Sequence, residues 1–167
     1  KLLIISDVAV IPLPDFKQKM VQIGYLARTA NLLGIATPKI ACIAPSEQLL
    51  PNVISSTEGA LLAKMGDRGQ LGNAIVDGPL SLDVALYKEV AEHKKVKGSS
   101  VAGDPDCLLF PNLESANVFF KSVTHLCGGE LAAMVMGTKV PCVLTSRGDT
   151  SKTKLFSIAL ACLAVKK

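Results

Sequence analysis

Four consecutive residues near the end of the chain, Ser146, Arg147, Gly148 and Asp149, set a hydroxyl, a planar cation, a tight-turn residue and a carboxylate side by side. They follow an apolar run, Val140 to Thr145, and precede a helical pattern from Ser151 to Val165. In open α/β sheets ligands gather beyond the carboxyl ends of the strands, so a strand-to-helix junction of this kind is a natural binding point. The first N–H groups of the helix, the Ser146 hydroxyl and the Arg147 fork would together hold a phosphate or phosphoryl group. A plainer arrangement fits the same residues: Asp149 or Thr150 caps the helix, and Arg147 pairs with a surface carboxylate.

The same rule selects Ser6 and Asp7, Ser46 and Glu47, Asp77-Gly78-Pro79, and Pro111 with Asn112, each set placed just after an apolar run. An Asp in Asp77's position either meets a ligand or makes an Asx turn. Asp77, Asp83, Asp104 and Asp106 could in principle share a divalent metal, but Asp104-Pro105-Asp106 has turn composition, and no metal is expected. His93 stands beside Lys94 and Lys95 on a solvated helix end, and His125 has no evident carboxylate or thiol partner, so neither is the expected base. Arg68 and Gly69 read as the cationic end and stop of a helix. There is no G-x-G-x-x-G and no Walker-type loop, which argues against either standard nucleotide site.

These residues need a scaffold, and the apolar pattern supplies one. Leu2–Ile5, Lys39–Ala44, Leu71–Val76, Cys107–Phe110, Leu131–Met136 and Val140–Thr145 read as strands. Between and after them, Asp15–Leu33, Thr57–Met65, Leu82–Ala91, Asn112–Leu126 and Ser151–Val165 read as helices, with Gly34 a stop for the first. The alternation predicts a three-layer α/β/α fold with a mostly parallel sheet. His93–Asp106, rich in Lys, Gly and Ser, is expected to be an exposed loop, and residues 1–167 are expected to form one α/β domain. With 49% hydrophobic residues, 4% aromatics and no Trp, the core must be aliphatic.

The formal charge of +4 is spread over mixed Lys, Arg, Asp and Glu. Without a basic stripe or interleaved aromatics, nucleic acid is not an expected partner, whereas small anions such as phosphate or coenzyme A are. Cys42, Cys107, Cys127, Cys142 and Cys162 each sit alone in apolar runs, so buried reduced thiols are expected. Their odd number, with no signal-peptide pattern and no membrane-length apolar run, predicts a cytoplasmic protein that avoids membranes. The chain opens on Lys1 and runs directly into a strand-like segment, which suggests a piece of something longer.

Several segments together resemble the phosphate acetyl/butyryltransferase family, its butyryl branch more than its acetyl branch. They are Val76-Asp77-Gly78-Pro79-Leu80-Ser81-Leu82-Asp83, Gly103-Asp104-Pro105-Asp106, Pro111-Asn112-Leu113-Glu114-Ser115-Ala116-Asn117 with Lys121, and Pro141-Cys142-Val143-Leu144-Thr145-Ser146-Arg147-Gly148-Asp149. The resemblance implies the second domain of a two-domain enzyme, of the architecture shared with isocitrate and isopropylmalate dehydrogenases, with roughly 141–167 packing toward the first domain. It implies a homodimer, acyl-CoA, phosphate and acyl phosphate as substrates, and no permanently bound cofactor. Ser146 and Arg147 match the family's Ser-Arg pair. The acetyl branch has its catalytic acid at what is Thr153 here, and Asp149 is the nearest substitute. Asp77, Gly78, Pro79, Asn117, Lys121 and Gly148 match motif positions around the cleft. Other readings are a non-catalytic ligand-binding or dimerisation fragment, and a metal- and NAD-dependent dehydrogenase-like domain.

The implied reaction joins coenzyme A thiolate to an acyl phosphate, or phosphate to an acyl-CoA thioester, through a tetrahedral intermediate. A free thiol near pKa ~8.5 and a carboxylate near ~3.9 are mismatched by roughly 4 to 5 units, or about 6 kcal/mol. Arg147 and the helix N-terminus would lower the thiol pKa, and partial burial would raise that of the acid.

Overall fold

A computed structural model describes residues 1–165. By internal packing the chain forms two compact units, one from Lys1 to Asn117 and one from Val118 onward.

The first unit holds four strands, β1 (Ile4–Ser6), β2 (Lys39–Ile43), β3 (Ile75–Leu80) and β4 (Cys107–Leu109). All pair in parallel, in the order β1-β4-β2-β3. Helix α1 (Phe16–Leu32) starts at a capping box: Asp15 Oδ1 accepts from the Gln18 N–H at 2.8 Å, and Gln18 Oε1 accepts from the Asp15 N–H at 2.8 Å. It ends at Gly34, whose φ of +90° suits a residue without Cβ. Ile23, Leu26, Ala27 and Ala30 recur at helical spacing and bury one stripe against Ile40, Cys42, Cys107 and Leu109, together with Leu62 of α2 (Ile54–Asp67). Strand alternation turns Ala41 and Leu108, both fully buried, to the opposite face. Helix α3 (Leu82–Leu86) packs on β2 and contributes the fully buried Val84 and Ala85, and α4 (Lys88–His93) follows. Both faces of the parallel sheet are therefore covered, giving the expected three layers.

Helix α2 rides close to β3. A Cβ added at Gly59 would come within 3.2 Å of Pro79 Cα, and one at Gly78 within 2.7 Å of Cys42 Cβ. Helix α5 (Leu113–Leu126) begins in the first unit and runs into the second, which also holds α6 (Ser151–Ala164). Ser157 on α6 is buried; its Oγ accepts from the Ala133 N–H at 2.9 Å and donates to the Thr153 carbonyl at 2.7 Å.

Four expectations are corrected. Leu131–Met136 and Val140–Thr145 are not strands; a single antiparallel bridge, Val135 to Cys142, links them, because neither run finds a neighbouring strand to complete a ladder. The third strand begins at Ile75 rather than Leu71, since Gly72 at φ +75° holds a turn there, and Asp77-Gly78-Pro79 lies inside the strand. Leu82–Ala91 is two short helices, broken where Tyr87 is extended. Cys42 and Cys107 are buried, but Cys127, Cys142 and Cys162 are exposed. Among the described residues no helix is long and apolar enough to cross a membrane.

Candidate functional site

The carboxyl ends of the four strands carry most of the sequence-selected residues of the first unit, and their polar groups are engaged locally. After β1, Asp7 Oδ1 accepts from the N–H groups of Ala9 and Val10 at 2.9 and 3.0 Å, and Oδ2 from that of Ile11 at 2.8 Å, which folds the following loop around one carboxylate. After β2, Ser46 Oγ accepts from the Gln48 N–H at 3.1 Å. After β4, Asn112 Oδ1 accepts from the Ser115 N–H at 2.9 Å and so starts α5. Asn117, on the next turn of α5, donates from Nδ2 to the Val8 carbonyl at 2.9 Å and ties that helix to the β1 loop.

Within β3, Asp77 is half-buried and its Oδ1 accepts from the Gly78 N–H at 2.8 Å. Gly78 meets Cys42 and Gly59, and Pro79 is buried against Gly59, so these two residues let helix and sheet approach. The four aspartates do not gather: Asp83 pairs with Lys94 at 3.0 Å, and Asp104 pairs with Lys1 at 2.5 Å and Lys39 at 2.9 Å. Asp106 accepts the Lys39 N–H at 3.0 Å, placing the Asp104-Pro105-Asp106 turn at the amino ends of the strands.

In the second unit, Ser146, Arg147 and Gly148 are exposed in a loop ahead of α6. Ser146 donates its N–H to Asp149 Oδ2 at 2.6 Å while the Asp149 N–H returns to the Ser146 carbonyl at 3.1 Å, closing a turn with Arg147 and Gly148 at its tip. The helix cap is Thr150, whose Oγ1 accepts from the Thr153 N–H at 3.1 Å. Among the described residues Arg147 has no carboxylate partner. The turn thus presents a free guanidinium and a serine hydroxyl beside the N-terminus of a 14-residue helix. Lys121 is exposed on α5, 5.1 Å from the Phe120 ring centroid.

The sequence profile described as phosphate acetyl/butaryl transferase matches residues 1–162. The chain belongs to that family. It is 43% identical over 163 residues to the phosphate butyryltransferase of Clostridium acetobutylicum, covering 98% of this chain and 54% of that protein. To the phosphate acetyltransferase of Thermotoga maritima it is 42% identical over 159 residues, with 95% and 54% covered. Among solved structures, a branched-chain phosphotransacylase from Enterococcus faecalis V583 superposes with a TM-score of 0.87 at 31% identity, over 95% of this chain and 56% of that one. The chain spans about half the length of the curated relatives it matches.

Two charged groupings of this family member escape a reading by sequence. Lys94, which reads as a solvated helix end, gathers Asp83, Glu47 Oε2 at 3.4 Å and Ser81 Oγ at 3.4 Å. Hydrogen bonds from Ser81 and then Lys94 hold the Asp83 carboxyl at about 2. Lys19, in the first turns of α1, is buried at 5% exposure and ion-paired with Glu58 of α2. Neither pair is adjacent in sequence, and only the folding of α1 onto α2 makes the second visible. Its trace in the sequence is a lysine four positions before Ile23, on the stripe that α1 buries.

Proposed function

We propose that this sequence contributes one catalytic half of an enzyme transferring a butyryl or similar short acyl group between coenzyme A and inorganic phosphate. The observation that carries the reading is the turn of the second unit: an unpaired Arg147 and an exposed Ser146 beside a helix N-terminus, in a chain of this transferase family. Phosphate oxygen attacks the thioester carbonyl, the carbonyl oxygen takes up the negative charge of the tetrahedral intermediate, and its collapse expels coenzyme A thiolate and leaves an acyl phosphate. Arg147 offers a bidentate fork to phosphoryl or carbonyl oxygens, and the Ser146 hydroxyl donates to the leaving sulfur. Asp149 is the proposed base; Ser146 occupies its Oδ2, which leaves Oδ1 for a proton. Thr153 takes part in the cap instead.

Asp77, Gly78, Pro79, Asn117, Lys121 and Gly148 are proposed as substrate-binding positions on their match to the family's motifs. No metal and no permanently bound cofactor take part. We further propose a cytoplasmic homodimer in which residues 1–167 act as a second domain of isocitrate/isopropylmalate dehydrogenase-like architecture. The exposed free cysteines suit a reducing compartment. The test is release of free thiol from butyryl-CoA and phosphate by a polypeptide of the relatives' full length that carries this sequence. Arg147→Lys should lower turnover about 100-fold or more, because a point charge cannot replace the planar fork. Full activity in that variant overturns the assignment, and binding without turnover by the parent favours a ligand-binding or dimerisation role.

A further inference from the structure

The turn that carries Ser146 and Arg147 is held on both sides by one connector, residues 130–135. Ahead of the turn, the Cys142 carbonyl accepts the Val135 N–H at 2.8 Å. Behind it, α6 is tied to the same connector twice: Lys152 in its first turn pairs with Glu130, and the Ser157 Oγ accepts the Ala133 N–H at 2.9 Å. The path from Cys142 through the turn to Ser157 is therefore closed by contacts on that connector. Of these ties Ser157 is the side-chain one that lies out of water. Lys152 and Glu130 are 58 and 56% exposed, and an exposed ion pair contributes little. Ser157 has no exposure and is, with Ala161, one of the two buried residues of α6. A serine inside a helix commonly donates to the carbonyl four residues back, as Ser157 does to Thr153 at 2.7 Å. Its second bond instead reaches a backbone N–H 24 positions away. Alanine would suit the helix better, but would leave the Ala133 N–H without that partner. The hydrogen bonds continue toward the turn: the Thr153 N–H donates to Thr150 Oγ1 at 3.1 Å, and Thr150 adjoins Asp149.

We propose that Ser157 is a positioning residue for acyl transfer: by seating residues 130–135 on α6 it fixes the path on which the chain enters the turn, and so where Ser146, Arg147 and Asp149 stand against substrate. The inference rests on the transfer reading given above. The Ser157 hydroxyl is taken up by two backbone groups, so it acts through the turn and not on substrate. A buried, fully hydrogen-bonded group selects one arrangement where apolar contacts alone would allow several. That selection matters at a reacting centre, where a displacement of about 1 Å costs on the order of 100-fold in rate.

The experiment uses a polypeptide of the relatives' full length that carries this sequence, with thiol release from butyryl-CoA and phosphate measured per folded molecule. Ser157→Ala should lower kcat about tenfold and move KM for either substrate less than about twofold. Ser157→Thr, which keeps the hydroxyl, should recover most of that loss. In an Arg147→Lys background Ser157→Ala should add less than about threefold, because both changes act through the same turn. Should Ser157→Ala fail to fold, Lys152→Met opens the exposed tie instead and should lower kcat about two- to threefold. Unchanged kcat in Ser157→Ala, equal losses in the alanine and threonine variants, full additivity with Arg147→Lys, or an unaffected Lys152→Met where Ser157→Ala does not fold would each overturn the inference. Those results leave the transfer reading standing as long as Arg147→Lys is impaired; a fully active Arg147→Lys removes both.

Discussion

The two units are similarly apolar in sequence but spend those residues differently. In the first, Ile23, Ala30, Ile40, Val84, Val101, Cys107 and Leu108 have no measurable exposure. In the second, Ala161 is the one buried hydrophobic residue among those described, while Leu126, Val140, Leu144 and Leu155 stand 82, 69, 58 and 62% exposed. The contrast shows that hydropathy marks a residue as able to enter a core, and that a facing surface decides whether it does. The first unit is thus closely packed, and the second carries the Ser146 to Asp149 turn on a lightly packed support.

The largest expected contrast is chemical. Burial raises the Cys42 and Cys107 thiols from 9.0 to about 12, so their thiolate fraction falls about a thousandfold. An aromatic disulfide reagent should modify Cys127, Cys142 and Cys162 in the native chain and reach Cys42 and Cys107 only after denaturation; fast labelling of all five cysteines would break the comparison. Next come packing variants. Leu62→Ala should cost about 2–5 kcal/mol in urea unfolding, whereas Leu155→Ala should stay within ~0.5. Gly78→Ala should cost about 1–3 kcal/mol because Cys42 occupies the new methyl's place, and Gly148→Ala, with open space around it, should be near neutral. Thr150→Ala should remove about 1 kcal/mol from α6, measured as lost amide protection in its first turn.

The smallest effect is electrostatic. Hydrogen bonds from Lys1 and Lys39 hold the Asp104 carboxyl at about 2, below its ordinary 3.8. A depressed folded-state pKa stabilises the fold above the ordinary value, and that contribution is lost as pH falls through about 2. Because Asp104 is 62% exposed, the effect should be under ~1 kcal/mol. In a carboxyl NMR titration, Lys39→Met should move the midpoint up toward 3.8, and an unmoved midpoint would discount the pair.

Much of the platform was legible in the chain. Asp15 marks the start of α1, Gly34 marks its end, and the runs at Lys39 and Cys107 are strands because their residues are apolar on both faces. The runs at Leu131 and Val140 look alike, yet a strand exists only through its neighbours, and local composition does not encode them. Asp77-Gly78-Pro79 has turn chemistry but sits inside β3, since the tight seat of α2 at Gly59 overrides local preference. For the site, the Ser146 to Asp149 turn was visible as residue types in order. Thr150 was one of two foreseeable caps, and the Lys19–Glu58 pair, 39 positions apart, was not readable before the helices met.

Gly103 shows how an exposed-looking connector can be fixed. At φ +83° it donates its N–H to the carbonyls of Val84 at 3.1 Å and Ala85 at 2.9 Å, and a Cβ there would lie 2.5 Å from Lys88 Cα. Nearby Val101 has no exposure, whereas Gly98 has nothing within 4 Å of an added carbon. For anyone splicing a reporter or epitope into this chain, the stretch has two grades of permissiveness: added sequence beside Gly98 has room to loop outward, and the same cargo five residues later would pull α3 off its seat.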